Sequence, residues 1–161
     1  MILIVGNFIC YRKERKEMFK KILYPTDFSE VSKKAINYIK QLKEAGTQEV
    51  VVLHVLNEKG VEAMALSASG SFDELLQRVE KEAADEMKEI EADLKNSGFK
   101  VKLRLEIGIP LTDILKVEEE EGVSAIVIAS HGKSNVKEML LGSVSEKVIR
   151  KSKNPVLVIR R

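Results

Sequence analysis

Residues 125–146 read AIVIASHGKSNVKEMLLGSVSE. Ala125 to Ala129 is an unbroken apolar run of the length of a strand buried on both faces. A glycine-rich turn follows and lasts to Gly142, and Ser143 with Glu146 forms the S-x-x-E pattern of a capping box, opening a helix that holds Val144 and Val148. Strand, glycine-rich turn and helix in that order are one half of a βαβ unit, the building block of parallel sheets.

The same alternation extends in both directions. Lys21 to Tyr24 is a short apolar run stopped by Pro25, and Asp27 with Glu30 reads as a capping box for a helix carrying Val31, Ala35, Ile36, Ile39 and Leu42 up to Gly46. Val50 to Val55 is a second buried strand. Residues 57–70 show no regular period and end in a small-residue stretch that reads as a loop. Ser71 and Glu74 cap a long helix whose apolar face runs from Phe72 through Leu75, Leu76, Val79, Ala83 and Ile90 to Leu94, before Gly98 stops it. Val101 to Glu106 alternates apolar and charged residues, as a strand near a sheet edge does. Gly108 and Pro110 open a helix with Leu111, Ile114 and Leu115, and Pro155 precedes a last strand, Val156 to Ile159. The expected fold is α/β: an open, mostly parallel five-stranded sheet with helices on both faces, a Rossmann-like nucleotide-binding arrangement.

The chain has 161 residues, the size of one such domain. No apolar run reaches the roughly 18 residues that span a bilayer, so a soluble protein away from membranes is expected. Lys and Arg number 27 against 25 Asp and Glu, a net charge of +2 that gives no ground for nucleic-acid binding. A single cysteine, Cys10, excludes an intrachain disulfide, and with only His54 and His131 beside it no Cys/His zinc site can be assembled. This composition suits a reducing cytoplasm. Residues 1–17, apolar and then charged, reverse the order of a secretory signal. They read as an N-terminal extension ahead of a domain spanning 18–161, with an extra edge strand at Ile2–Val5 as the alternative.

In open α/β sheets, ligands bind beyond the carboxyl ends of the strands, where the strand order reverses. Three segments fall there: Pro25-Thr26-Asp27, His54-Val55, and Ala129 to Ser143. The last places Gly132 and Gly142 with nine residues between them, and Ser143 at a helix start. Glycines admit close backbone approach to a phosphate, and a helix N-terminus offers free N–H groups to an anion. Ser143-x-x-Glu146 is equally a plain capping box, so spacing alone leaves both readings open. Gly132-Lys133-Ser134 looks like the end of a Walker A motif, but Val127 stands where that motif's first glycine belongs.

KKILYPTDFSE, the GIP before the third long helix, and SHGKSNVKEMLLGSVSEKVIRKSKNPVLVIR together resemble universal stress proteins, in particular archaeal ATP-binding ones, over residues 18–161. The family motif G-x2-G-x9-G-[ST] falls on Ala129, Gly132, Gly142 and Ser143, with alanine in place of the first glycine. The resemblance implies that Ala129, Ser130, His131, Gly132, Lys133, Ser134 and Asn135 wrap ribose and phosphates together with Gly142, Ser143, Val144 and Ser145. It further implies that the Val55 main chain meets the adenine edge, that Pro25, Thr26 and Asp27 line the ribose side, and that Asp27 helps to hold Mg²⁺. Against these stand plainer readings: Asp27 as a helix N-cap, Val55 as a strand end, and His54 and His131 as packing residues. Alanine at 129 is harmless if the position needs only strand-like φ, as its continuation of the strand suggests.

No nucleophile, base and orienting partner can be picked out together, which favours an ATP-dependent regulatory or signalling module in stress response over an ATPase or phosphotransfer enzyme. A nucleotide-free interaction protein is the third reading. An unknown protein partner would read the nucleotide state. By resemblance the last strand lies at a sheet edge, and its apolar Val156 to Ile159 then imply a homodimer through Pro155–Ile159.

Overall fold

Apolar strands must be covered on both faces, and the helices divide accordingly. In the computed structural model, which describes residues 2–5, 19–67, 71–132 and 141–160, five parallel strands alternate with helices as expected. β2 (Lys21–Pro25), β3 (Glu49–Asn57) and β4 (Lys100–Gly108) run to one side of the sheet; β5 (Ala125–Ala129) and β6 (Val156–Ile159) run to the other. On one face Ile22, Tyr24, Val50, Val52, Ala125 and Val127 pack against α1 (Glu30–Leu42) and α3 (Phe72–Asn96). On the opposite face Leu23, Val51, Leu53, Ile126 and Ile128 pack against α4 (Pro110–Glu121) and α5 (Ser143–Lys151). Alternate residues of one strand thus enter two separate cores, the consequence of a period of two in a doubly covered sheet.

The final strand is not an open edge. A sixth strand, β1 (Ile2–Val5), pairs antiparallel with β6 in the register Ile2 to Ile159 and Val5 to Val156, giving the order β1-β6-β5-β2-β3-β4. This corrects the premise of an exposed last strand: its outer hydrogen-bonding groups are taken within the same chain. β4 forms the other edge, and its charged Lys100, Lys102, Arg104 and Glu106 blunt it.

Three local expectations change. Residues 58–67, read as irregular, form helix α2 (Glu58–Ser67); Val61 is buried there, but Met64 and Leu66 are exposed, so no apolar stripe announces the helix. The α1 cap is Ser29, whose hydroxyl accepts from Ser32 N–H at 3.3 Å, and Asp27 lies outside the helix. The α5 cap is Gly142, with Ser143 as the first helical residue and no side-chain capping bond. The Ser71–Glu74 box of α3 is present with both its bonds.

Two carboxylates organise the end of the sheet remote from the glycine-rich turn. Glu118, 4% exposed, accepts at Oε1 from Ser152 Oγ, the N–H groups of Lys153 and Asn154, and Asn154 Nδ2, and so fixes the turn into β6. Glu121, its side chain 5% exposed, meets Lys21 at 3.1 Å, Lys102 at 2.8 Å and Arg104 at 2.8 Å, tying α4 to the starts of β2 and β4. Burial alone would raise the Glu121 carboxyl, but hydrogen bonds from Lys102, Lys21 and Arg104 outweigh it and hold the group at about 2. A carboxyl depressed in the folded state stabilises fully above its unfolded value and loses that contribution as pH falls through its folded one. Glu121→Gln is therefore expected to cost about 1–2 kcal/mol at pH 7, after solvent screening of the exposed cations, and to flatten the loss of stability between pH 5 and 2. Denaturant melts across that range check it.

Candidate functional site

β2 and β5 lie side by side, yet their register holds only Ile22 with Ala125 and Leu23 with Ile126. Beyond those pairs the chain leaves β2 toward α1 and leaves β5 toward the glycine-rich turn, and a cleft opens at the point where strand order reverses. The cleft encloses about 260 Å³. Its walls contain Pro25, Thr26, Asp27, Val55, Ala129 and His131, with Gly132, Gly142, Ser143, Val144 and Ser145 across from them. These are the residues that the sequence proposed, brought together from three strand ends and one helix start.

Other proposed residues are placed differently. Ser130 is fully buried and does not line the cleft: its hydroxyl is 2.8 Å from His131 Nδ1, and its carbonyl accepts from Gly142 N–H at 2.6 Å and Ser145 Oγ at 2.7 Å. It buttresses the turn. Lys133, Ser134 and Asn135 lie outside the described residues. Ala129 pairs with Ile159 in β5 and has no positive φ, so alanine fits this position without strain.

The floor of the Pro25–Asp27 side is a buried polar network. Tyr24 Oη donates to the Ser32 carbonyl at 2.7 Å, and Ser32 Oγ donates to Thr26 Oγ1 at 2.9 Å. Phe28 N–H also donates to Thr26 Oγ1, at 3.1 Å. Burial pushes the Tyr24 phenol up, so it stays a neutral donor. Asp27 Oδ1 accepts from Ser29 N–H at 3.1 Å, an Asx turn that leaves the α1 cap to Ser29 and keeps the carboxylate on the cleft wall.

The opposite wall is made of backbone. The α5 helix bonds begin with Glu146 N–H to Gly142 O at 2.9 Å, so the first-turn N–H groups of Ser143, Val144 and Ser145 have no intrahelical carbonyl to bond. They end a positive helix dipole at the cleft. Sequence reasoning missed the apolar wall: Leu53, Ile114 and Ile128, with Pro110 at the first turn of α4. Only the third dimension shows that the GIP turn enters the same cleft. Ser32 also lines it, from the first turn of α1.

This combination of a doubly covered parallel sheet and a glycine- and helix-walled cleft at its switch point defines a doubly wound, open-sheet type of α/β domain. The model of the universal stress protein family matches residues 18–160, and the chain belongs to that family. It is 44% identical over 156 residues to universal stress protein MJ0577 of Methanocaldococcus jannaschii, covering 89% of this chain and 96% of that protein. It is 34% identical over 148 residues to universal stress protein YxiE of Bacillus subtilis, covering 89% and 100%. The solved structure of MJ0577 superposes with a TM-score of 0.81 at 45% identity, over 89% of this chain and 97% of that one. The fold likeness extends to an Arabidopsis thaliana universal stress protein solved with AMP bound, with a TM-score of 0.59 at 14% identity, covering 88% of this chain and 92% of that one.

The need for glycine at 142 has a structural origin that spacing could not give. A Cβ there would lie 3.3 Å from both His131 Cα and the Ser130 carbonyl oxygen. Its φ of −74° is ordinary, so the constraint is space against the turn's own backbone, where the sequence suggested the space of a phosphate. Gly142→Val is expected to push α5 from Ser130, to cost roughly 1–3 kcal/mol of stability and to abolish ligand binding, whereas Gly142→Ala keeps the fold with weaker binding. Thermal melts paired with calorimetric titration of Mg-ATP check both.

Proposed function

We propose that this chain is an ATP-binding regulatory module whose nucleotide-bound state is read by another protein in the stress response of a reducing cytoplasm. The observation that carries the reading is the cleft itself: the first turn of α5, whose N–H groups have no intrahelical partner, lines it together with Gly132, Gly142 and Asp27. The first turn of α5 suits phosphate oxygens, and Leu53, Val55 and Ile128 suit the flat apolar faces of a base. A protein of the same fold has been solved with AMP bound, which accords with a nucleotide as the ligand. Mg²⁺ would supply neutralisation of phosphate charge when bound. Asp27 is the carboxylate on the cleft wall, and no cluster of three or more His, Cys, Asp or Glu occurs among the described residues, so the ion would draw its other ligands from phosphates and water.

Regulation is favoured over turnover because the described cleft lining is mainly apolar side chain and backbone, and its two groups able to take a proton from water each have one atom committed within the protein. His131 Nδ1 is held by Ser130, and Asp27 Oδ1 accepts from the backbone of Ser29. Purified protein is expected to bind Mg-ATP by calorimetry with at most slow hydrolysis. Multiple turnover that Asp27→Asn removes without loss of ATP binding would establish an enzyme instead.

The assembly proposal, a homodimer through Pro155–Ile159, depends on β1. With Ile2–Val5 paired to β6 that edge is filled, so dimerisation requires β1 to leave it. Light scattering is expected to show a monomer for the full chain at micromolar concentration and a dimer, with a lower melting temperature, when residues 2–17 are deleted. A full-length dimer broken by Val158→Lys would mean that β1 yields the edge.

A further inference from the structure

Phe28 is the residue of positive φ, 60°, among the described non-glycine residues, and it directly follows Asp27 of the cleft wall. Left-handed backbone crowds the Cβ of any L-residue, so something must hold it. His54 does so from the neighbouring strand β3. Its ring stacks on Phe28 with centroids 4.3 Å apart and planes at 27°, and its Nδ1 lies 2.7 Å from the Thr26 carbonyl. Because a carbonyl only accepts, Nδ1 carries the proton and donates. The residues on either side of Asp27 are therefore both gripped by one imidazole, and the Thr26 N–H is fixed in turn by Leu53 O at 2.9 Å.

What this grip sets is the position of the Asp27 carboxylate. Gly132, on the other wall, is the partner: a Cβ built on it would overlap Asp27 Oδ2. A carboxylate at the end of a loose arm would swing away from such a Cβ at little expense, whereas one whose backbone is held at both neighbours must give up its Oδ1 bond to Ser29 N–H to do so. We infer that His54 is a positioning residue, which through Thr26 and Phe28 fixes Asp27 against Gly132 and so sets the carboxylate side of the cleft. In this assignment Gly132 lacks a side chain to make room for Asp27, in addition to any approach of a ligand. The part concerning ligand affinity rests on the proposed nucleotide reading; the part concerning the Asp27–Gly132 contact does not.

The test separates the two. Melting temperatures of Gly132→Ala, His54→Ala and the double variant form a cycle that needs no ligand. Gly132→Ala is expected to lower the melting temperature by several degrees in the presence of His54 and by clearly less in its absence, since the freed carboxylate can then move aside. Strict additivity would overturn the inference, because a merely structural His54 would contribute independently of residue 132. His54→Phe, which keeps an aromatic ring but removes the Nδ1 donor, is expected to behave between wild type and His54→Ala; behaviour equal to wild type would overturn the role of the Thr26 bond. Calorimetric titration with Mg-ATP is expected to show affinity about tenfold weaker in His54→Ala, and no further loss when His54→Ala is added to Asp27→Asn. If the wild type takes up no Mg-ATP while the stability cycle remains non-additive, the nucleotide reading fails and the positioning stands. If it binds and His54→Ala binds equally well, the positioning of the carboxylate for ligand fails.

Discussion

The two-pair contact between β2 and β5 governs everything at the functional end of the molecule. Parallel neighbours elsewhere pair along their length, as β3 and β4 do from Glu49 with Lys100 to Asn57 with Gly108. At β2 and β5 the pairing stops early because each strand must hand its chain to a helix on a different face, α1 on one and α5 on the other. The backbone groups released there cannot be left bare inside the protein. On the β5 side Ser130 O accepts from Gly142 N–H and Ser145 Oγ, while on the other side of β2 the Thr26 N–H continues the ladder to Leu53 O of β3. The polar, rigid rim of the cleft follows from that requirement.

The two walls meet the requirement by different means. On the β5 side one carbonyl, Ser130 O, joins the strand end to the first turn of α5. On the β2 side Tyr24, Thr26 and Ser32 form a buried hydroxyl chain, with a stacked pair of rings above it. Fully partnered networks of this kind favour a single geometry. The described parts of the two cleft walls are thus fixed by the protein's own bonds.

Much of this was legible in the sequence, and the exceptions have physical reasons. The five parallel strands and the long helices could be read because burial on both faces leaves apolar runs and helical spacing that nothing else explains, as in Val50–Leu53 and Leu75–Leu94. Helix α2 was hidden because its exposed Met64 and Leu66 break the period. Capping boxes at Asp27 and Ser143 were misplaced because several polar residues compete at each helix start: Ser29 N–H draws Asp27 into a local Asx turn, and Ser130 O holds the Gly142 N–H. Most of the cleft residues were identified through glycine spacing and family resemblance. The burial of Ser130 and its bonds to His131, Gly142 and Ser145 leave no mark in the sequence, and Leu53, Ile114 and Ile128 read there as ordinary core.

Helix α4 has Pro110 and Ile114 in the cleft wall at one end and Glu118 and Glu121 at the other. Twelve helical residues make a stiff rod of about 18 Å. Because Glu118 is bound to the turn ahead of β6 and Glu121 to the starts of β2 and β4, this rod is a strut braced at its foot and loaded at its head. A sideways load on Pro110 is borne first by the four donors gathered on Glu118 Oε1, which makes the entry to β6 the mechanical footing of the cleft.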